Sequence, residues 1–269
     1  MKDCIIIIPL YKYDLYDYEI MSLNRILDLY YSKYDIMFLV PDNFDIWKLL
    51  NKYYYNLTDN FVYTYYKWHE SYFVNSSTYN IICLNKNFYE TFINKYNYML
   101  IYQLDAYIFK DELDYWINKE YDYIGSFENV ILYNNLLKKD NYLYSINDFN
   151  KKYNFTIPDD KKYIFNMNGG CSLRNINFCY NIVNNIDFYY YILYDSGIIA
   201  EDSFYSLFCK DVSIYESCKF GYSHFNLELS QIINNYELPF CAHAIHKNTK
   251  LFEMVKNHYN SLHKIGDIS

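Results

Sequence analysis

The run Cys4-Ile5-Ile6-Ile7-Ile8, closed by Pro9, constrains this chain more than any other segment. A strand with one face in water alternates apolar and polar residues, whereas a strand covered on both faces is apolar throughout, and such strands belong to parallel sheets flanked by helices. The run is too short for a signal-peptide core and no cleavage-like segment follows it. It therefore predicts a central strand of an α/β fold. Ile20, Leu23, Leu27 and Tyr30 follow at helical spacing, and Asp35–Val40 reads as a second strand stopped by Pro41 and Asp42. Further apolar runs at Phe61–Tyr65 and Tyr98–Tyr102, with a helix-like stretch from Asn87 to Tyr96 between them, extend this βαβ opening into a mostly parallel sheet with helices on its faces.

From Phe127 to Lys162 the periodicity fades into Asn, Lys, Asp and Tyr, with Pro158 before Asp159–Asp160. This reads as a polar insertion: a lid that orders on binding, an acceptor-facing element, or a passive surface excursion. The pattern recovers at Phe165–Met167, then passes through Gly169–Gly170, a helical segment from Asn175, another over Glu201–Lys210, and a short strand at Leu238–Ala242. A length of 269 residues suits one large α/β unit with an insertion.

Apolar residue types make up 52% of the chain, enough for a sizeable core. The 38 tyrosines come with abundant Asn, Lys and Ile, the coding bias of an AT-rich genome, so Tyr–Tyr runs carry no functional weight here. A net charge of −8 gives no basic footprint, which argues against a protein whose main task is to hold a nucleic-acid backbone. The pairs Lys138–Lys139, Lys151–Lys152 and Lys161–Lys162 leave a polymer acceptor open. Seven scattered cysteines, with no CxxC pair, indicate neither a disulfide framework nor a cysteine zinc site, and reduced thiols fit a cytoplasmic chain. No stretch of about 18 apolar residues occurs, so no membrane span is expected, although a peripheral visit to a membrane surface is compatible with the sequence.

Four features carry chemistry. Leu100–Ala106 is an apolar strand ending in Asp105, and open α/β sheets bind ligands at the carboxyl ends of their strands; the same aspartate could instead cap a following helix. Asn168-Gly169-Gly170 allows positive φ and close approach of backbone to ligand, with a helix start after it, or is an ordinary turn. Glu201–Asp202 places two acids at a helix start, where carboxylates also serve as dipole partners. His243 and His246 follow the late strand, and imidazole is a common metal ligand, although a late histidine is often structural.

In this order the four resemble the GT-A glycosyltransferase core: a DxD-type metal motif, a glycine loop, an xED motif and a C-terminal histidine. More narrowly, the chain resembles a sparsely characterised family of glycosyltransferase-like proteins marked by IYQLDA (Ile101–Ala106), DEL-x-x-W (Asp111–Trp116), YDYIG (Tyr121–Gly125), NGG-x-SLR (Asn168–Arg174), ED-x-F (Glu201–Phe204) and PF-x-x-H (Pro239–His243). Ile8–Tyr11 and Glu19-x-x-Ser22-Leu23 also fit, so the resemblance spans most of the chain outside the insertion. It implies a single GT-A-like, Rossmann-like unit: a nucleotide-binding half over 1–126, the insertion over 127–162, and a donor-sugar and acceptor half over 163–269. It implies a hexosyl- or pentosyltransferase that uses a nucleotide-diphosphate sugar, UDP-linked sugars among them, and a glycan or other hydroxyl-bearing acceptor.

Carried over residue by residue, Pro9, Leu10 and Tyr11 would meet base and ribose. Gln103, Asp105, Asn168, Gly169 and Gly170 would meet the rest of the donor. Asp105 and His243 would hold Mn²⁺ or Mg²⁺, with His246 in reserve. Asp202 would be the general base of an inverting displacement, with Glu201 its competitor. The sequence departs from the pattern at Gln103, a neutral amide where the DxD-type motif has its first acid. That departure motivates the alternative of a non-catalytic nucleotide-sugar-binding or scaffolding protein. An enzyme that decorates nucleic acid is a further possibility, disfavoured by the acidic charge.

Overall fold

In the computed structural model, which describes residues 2–58, 61–132, 138–139, 142–143, 163–184, 200–210 and 212–263, the isoleucine run lies in strand β1 (Lys2–Pro9). Ile5, Ile6, Ile7 and Ile8 have no exposed surface. The amphipathic helix α1 (Asp17–Tyr30) follows, packing Leu23, Ile26, Leu27 and Tyr30 inward, and leads into β2 (Asp35–Pro41). Then come α2 (Ile46–Tyr53), β3 (Thr64–Trp68), α3 (Ser76–Cys83), α4 (Lys86–Glu90), β4 (Tyr96–Tyr102), β5 (Tyr107–Ile108), α5 (Leu113–Ile117) and β6 (Tyr123–Leu132). The two-residue strands β7 (Lys138–Lys139) and β8 (Tyr142–Leu143) pair with each other. The second half carries β9 (Tyr163–Asn175), α6 (Ile176–Val183), α7 (Glu201–Phe208), α8 (Ile214–Phe220), β10 (Gly221–Ser223), α9 (Leu227–Ile233), β11 (Cys241–His243) and α10 (Thr249–His263).

The main sheet runs β3-β2-β1-β4-β9-β6, parallel across the first four strands and antiparallel where β9 meets β4 and β6. This is the expected mostly parallel α/β sheet, with β1 inside it. A smaller sheet, β10-β11-β5, sets β11 antiparallel to β5. That pairing brings the late strand alongside the residues that follow β4.

Several boundaries differ from the sequence reading. The strand expected at Phe61–Tyr65 starts at Thr64, because Phe61 turns inward onto Tyr31, ring centroids 4.2 Å apart, before the backbone joins β2. The helix expected over Asn87–Tyr96 stops at Glu90, and Asn94, at φ 68°, closes the turn into β4; a helix at Ser76–Cys83 was not anticipated. Leu238–Ala242 resolves to a strand at Cys241–His243, and the helix expected over Glu201–Lys210 ends at Phe208. Phe127–Leu132, expected as the start of the insertion, instead pairs with Tyr163–Met167 across a bulged register. Apart from β7 and β8, residues 133–162 lie outside the described residues. All seven cysteines are free and buried, and among the described residues no helix is long and apolar enough to cross a membrane.

Candidate active site

A cavity of about 530 Å³ opens at the carboxyl ends of β1 and β4, lined by Pro9, Leu10, Tyr11, Gln103, Asp105, Asn168, Gly169, Gly170, Glu201, Asp202, His243 and His246. Every candidate singled out in the sequence therefore reaches one space.

Asp105 arrives there on a turn. The Ala106 N–H donates to the Gln103 carbonyl at 2.9 Å, and the chain continues as β5 rather than as a helix, so Asp105 is not a helix cap. Its two oxygens face the histidines: Oδ1 lies 3.1 Å from His243 Nε2 and Oδ2 lies 3.9 Å from His246 Nδ1. The β5–β11 pairing sets the first contact. The second follows from Ala244, whose φ of 52° and ψ of 42° reverse the chain so that the Ile245 N–H donates to the Asp105 carbonyl at 3.1 Å. Left-handed backbone is costly for a residue with a Cβ, so the turn is held by its surroundings. Burial acts to raise the Asp105 carboxyl, but His243, His246 and Lys247 together outweigh it and hold the group down at about 2. Burial acts to lower His243, and Asp105 overcomes it, leaving the imidazole above its ordinary value. The Gln103 amide oxygen lies 3.4 Å from His243 Nε2.

The glycine pair is not in a turn. Asn168, Gly169 and Gly170 lie inside β9, and the helix after it starts at Ile176, capped by Asn175, whose side chain accepts the Phe178 N–H. The helix N–H groups that the sequence reading placed beside the glycines are therefore elsewhere. Close approach is what requires glycine: a Cβ at Gly169 would sit 2.5 Å from a Glu201 carboxylate oxygen, and one at Gly170 would overlap the His243 ring. The Gly170 carbonyl accepts the Gln103 N–H at 2.7 Å, tying β9 to the end of β4.

The two acids at the start of α7 divide their roles. Glu201 is buried, and its Oε1 accepts from Arg174 Nη2 at 2.8 Å. Arg174, with no exposed surface, also donates to Ser172 Oγ and the Gly169 carbonyl, and lies over the rings of Tyr123 and Tyr205. Burial raises the Glu201 carboxyl against the opposing pull of Arg174. Asp202 is only partly buried; its Oδ2 accepts the Gly169 N–H at 3.2 Å and its Oδ1 accepts the Ser203 N–H at 2.7 Å.

Other lining groups escaped the sequence reading. Phe73 faces Tyr11, ring centroids 6.5 Å apart and planes 27° apart. Lys12 pairs with the buried Glu19 at 2.8 Å, Tyr18 stacks on His246 at 4.9 Å, and Lys247 borders the cavity next to His246. Arg174 stood in a motif but had no role, and Phe73 left no signal at all.

No curated protein sequence matches the chain. Among solved structures it is similar to the galactosyltransferase LgtC in complex with donor and acceptor sugar analogues, with 13% identity, 96% of this chain and 95% of that chain covered, and a TM-score of 0.56. It is also similar to the bifunctional glycosyltransferase WbbM, with 12% identity and a TM-score of 0.52 over 96% of this chain and 50% of that one. At such identities the likeness shows the fold, which is GT-A-like. Residues 63–243 match a family profile, and the chain thereby belongs to the family described as protein of unknown function (DUF5672).

Proposed function

We propose that the chain is a glycosyltransferase, moving a sugar from a nucleotide-diphosphate sugar to a hydroxyl-bearing acceptor. One observation carries the reading. In a GT-A-like sheet, a single cavity holds an aromatic slot, an acid–histidine pair edged by Lys247, and a glycine floor with Asp202 beside it. These suit, in turn, a base, a diphosphate and a sugar, and a similar structure is a galactosyltransferase with donor and acceptor analogues. A planar base needs roughly 3.5 Å on each side, so rings 6.5 Å apart admit one after a small opening.

A divalent cation fits the donor set at the centre. Asp105 and His243 would hold Mn²⁺ or Mg²⁺ with the Gln103 amide oxygen beside them, and the bound ion would neutralise charge on the diphosphate leaving group. Among the described residues no group of three or more His, Cys, Asp or Glu side chains could hold a metal, so donor oxygens and water would complete the shell.

Asp202 is the acid we assign to the acceptor hydroxyl, since Glu201 is committed to Arg174. An unassisted hydroxyl is too weak an acid to lose its proton at neutral pH, and a positioned carboxylate can take that proton as the new bond forms, inverting the anomeric carbon. Both Asp202 oxygens accept backbone N–H groups, and this favours a second reading in which Asp202 fixes the glycine floor and configuration is retained.

The test is hydrolysis of UDP-glucose, UDP-galactose, UDP-xylose and GDP-mannose with Mn²⁺, followed by transfer to simple glycosides and NMR assignment of the product anomer. Asp202→Asn should lower turnover by roughly 10²–10⁴-fold with nucleotide binding kept if it is the base. Nucleotide binding without any turnover would identify a non-catalytic binding protein, and binding of none of these ligands would defeat the proposal.

A further inference from the structure

Glu128, on β6, is a buried carboxylate that the chemistry above leaves unused. It sits where the β6–β9 register is irregular, and both its oxygens are taken: Oε1 accepts from Asn168 Nδ2 at 2.6 Å and Oε2 from Asn166 Nδ2 at 3.1 Å. Burial raises its pKa, opposed by the bond from Asn168. Burying a carboxylate is unfavourable where an apolar side chain would serve for packing alone.

What the carboxylate does follows from hydrogen-bond inventory. A side-chain amide has an acceptor end and a donor end, so it can be turned over, whereas an ionised carboxylate only accepts. Glu128 thus draws the NH₂ ends of both asparagines to itself and turns both carbonyl ends away. The Asn168 carbonyl then accepts the Gly170 N–H at 2.8 Å. The Asn166 carbonyl accepts the Ser203 hydroxyl at 2.9 Å, and the Ser203 N–H reaches Asp202 Oδ1 at 2.7 Å. One branch ends at the glycine packed against His243, and the other at Asp202.

We propose that Glu128 is a positioning residue, whose acceptor-only carboxylate sets the orientation of Asn166 and Asn168 and through them fixes Gly170 and Asp202 on the cavity floor. The assignment rests on the glycosyltransferase reading for its catalytic consequence, but not for its geometry.

Glu128→Gln is nearly isosteric. Its new amide can accept from one asparagine only and turns an NH₂ toward the other. Combining it with Asn168→Asp restores an acceptor there: the introduced amide donates to the introduced carboxylate, which still accepts the Gly170 N–H. Two readouts are taken. Gly169–Gly170 is the only Gly–Gly step in the chain, so labelling glycine with ¹⁵N and carbonyl ¹³C isolates the Gly170 amide in a carbonyl-filtered NMR spectrum. Hydrolysis of the four nucleotide sugars named above gives turnover, and titration with UDP and GDP gives nucleotide affinity.

Glu128→Gln should shift the Gly170 amide and lower turnover by roughly 10–100-fold, the effect of a small misplacement, while nucleotide affinity changes less than about twofold. The paired variant should return the amide signal and most of the turnover. An unmoved Gly170 amide together with unchanged turnover in Glu128→Gln, or no recovery in the paired variant, would overturn the positioning role. A wild type that hydrolyses no donor, together with the expected amide shifts, would defeat the glycosyltransferase reading and leave the positioning intact.

Discussion

Glu201→Gln is the most informative single change, because it separates a buried structural acid from a reacting one. Arg174 has no exposed surface, and Glu201 is its only anionic contact, at 2.8 Å, among the described residues. Removing the negative charge leaves a buried guanidinium with neutral partners alone among the described residues, including Ser172 Oγ, the Gly169 carbonyl, Tyr89 and two aromatic faces. At an effective dielectric of about 20, unit charges about 4 Å apart attract by about 4 kcal/mol, and breaking one partner of a buried pair typically costs about 3–5 kcal/mol. A chain of this size loses roughly 2–4 °C of melting temperature per kcal/mol, so a fall of about 10 °C is expected in thermal denaturation followed by circular dichroism. Arg174→Met on top of Glu201→Gln should recover part of it, since no uncompensated charge is then buried. A Glu201→Gln melting temperature within about 3 °C of wild type, with turnover lost, would show that Glu201 and not Asp202 meets the acceptor.

Three further outcomes are expected. Phe73→Ala and Tyr11→Ala should each weaken UDP and GDP binding by roughly 5–100-fold in calorimetry, the worth of one base–aromatic stack, and normal affinity in both would remove the base slot. Asp105→Asn should abolish any enhancement of nucleotide binding by Mn²⁺ and lower turnover, because the strand end supplies no other carboxylate to the cation; unchanged wild-type activity in EDTA would refute a metal role. Ala244→Val should destabilise the protein by about 2 kcal/mol or more, since a β-branched residue resists the left-handed backbone, whereas Ala244→Gly should stay within about 1 kcal/mol of wild type; equal effects of the two would mean that the turn is not strained.

What the sequence disclosed and what it withheld follow one physical division. The Cys4–Ile8 run and the apolar end of β4 were legible because a strand buried on both faces leaves its mark on every residue. Asp105, Gly169–Gly170, Asp202 and His243 were found as a set by resemblance, and the fold explains their convergence: the pairing of β11 with β5 brings residue 243 back to residue 105. A Gly–Gly pair reads locally as a turn with a helix start beside it, and the structure instead places both glycines inside β9. Their actual constraint is the approach of Glu201 and His243, which lie 32 and 73 residues further along the chain.

The same division explains the omission of Glu128. A bulge lets β6 continue through Phe127–Leu132 beside β9, and nothing local marks such a strand when its partner begins at Tyr163. With the strand read as insertion, nothing singled out a lone glutamate inside it. Its burial depends on pairing with a strand that begins at Tyr163, and its two amide partners, Asn166 and Asn168, are of a type too common in this asparagine-rich chain to stand out. Local patterning therefore marks a cavity-lining acid such as Asp105 at the end of β4, whereas a carboxylate held between strands, as Glu128 is, becomes visible only once the antiparallel strands are in register.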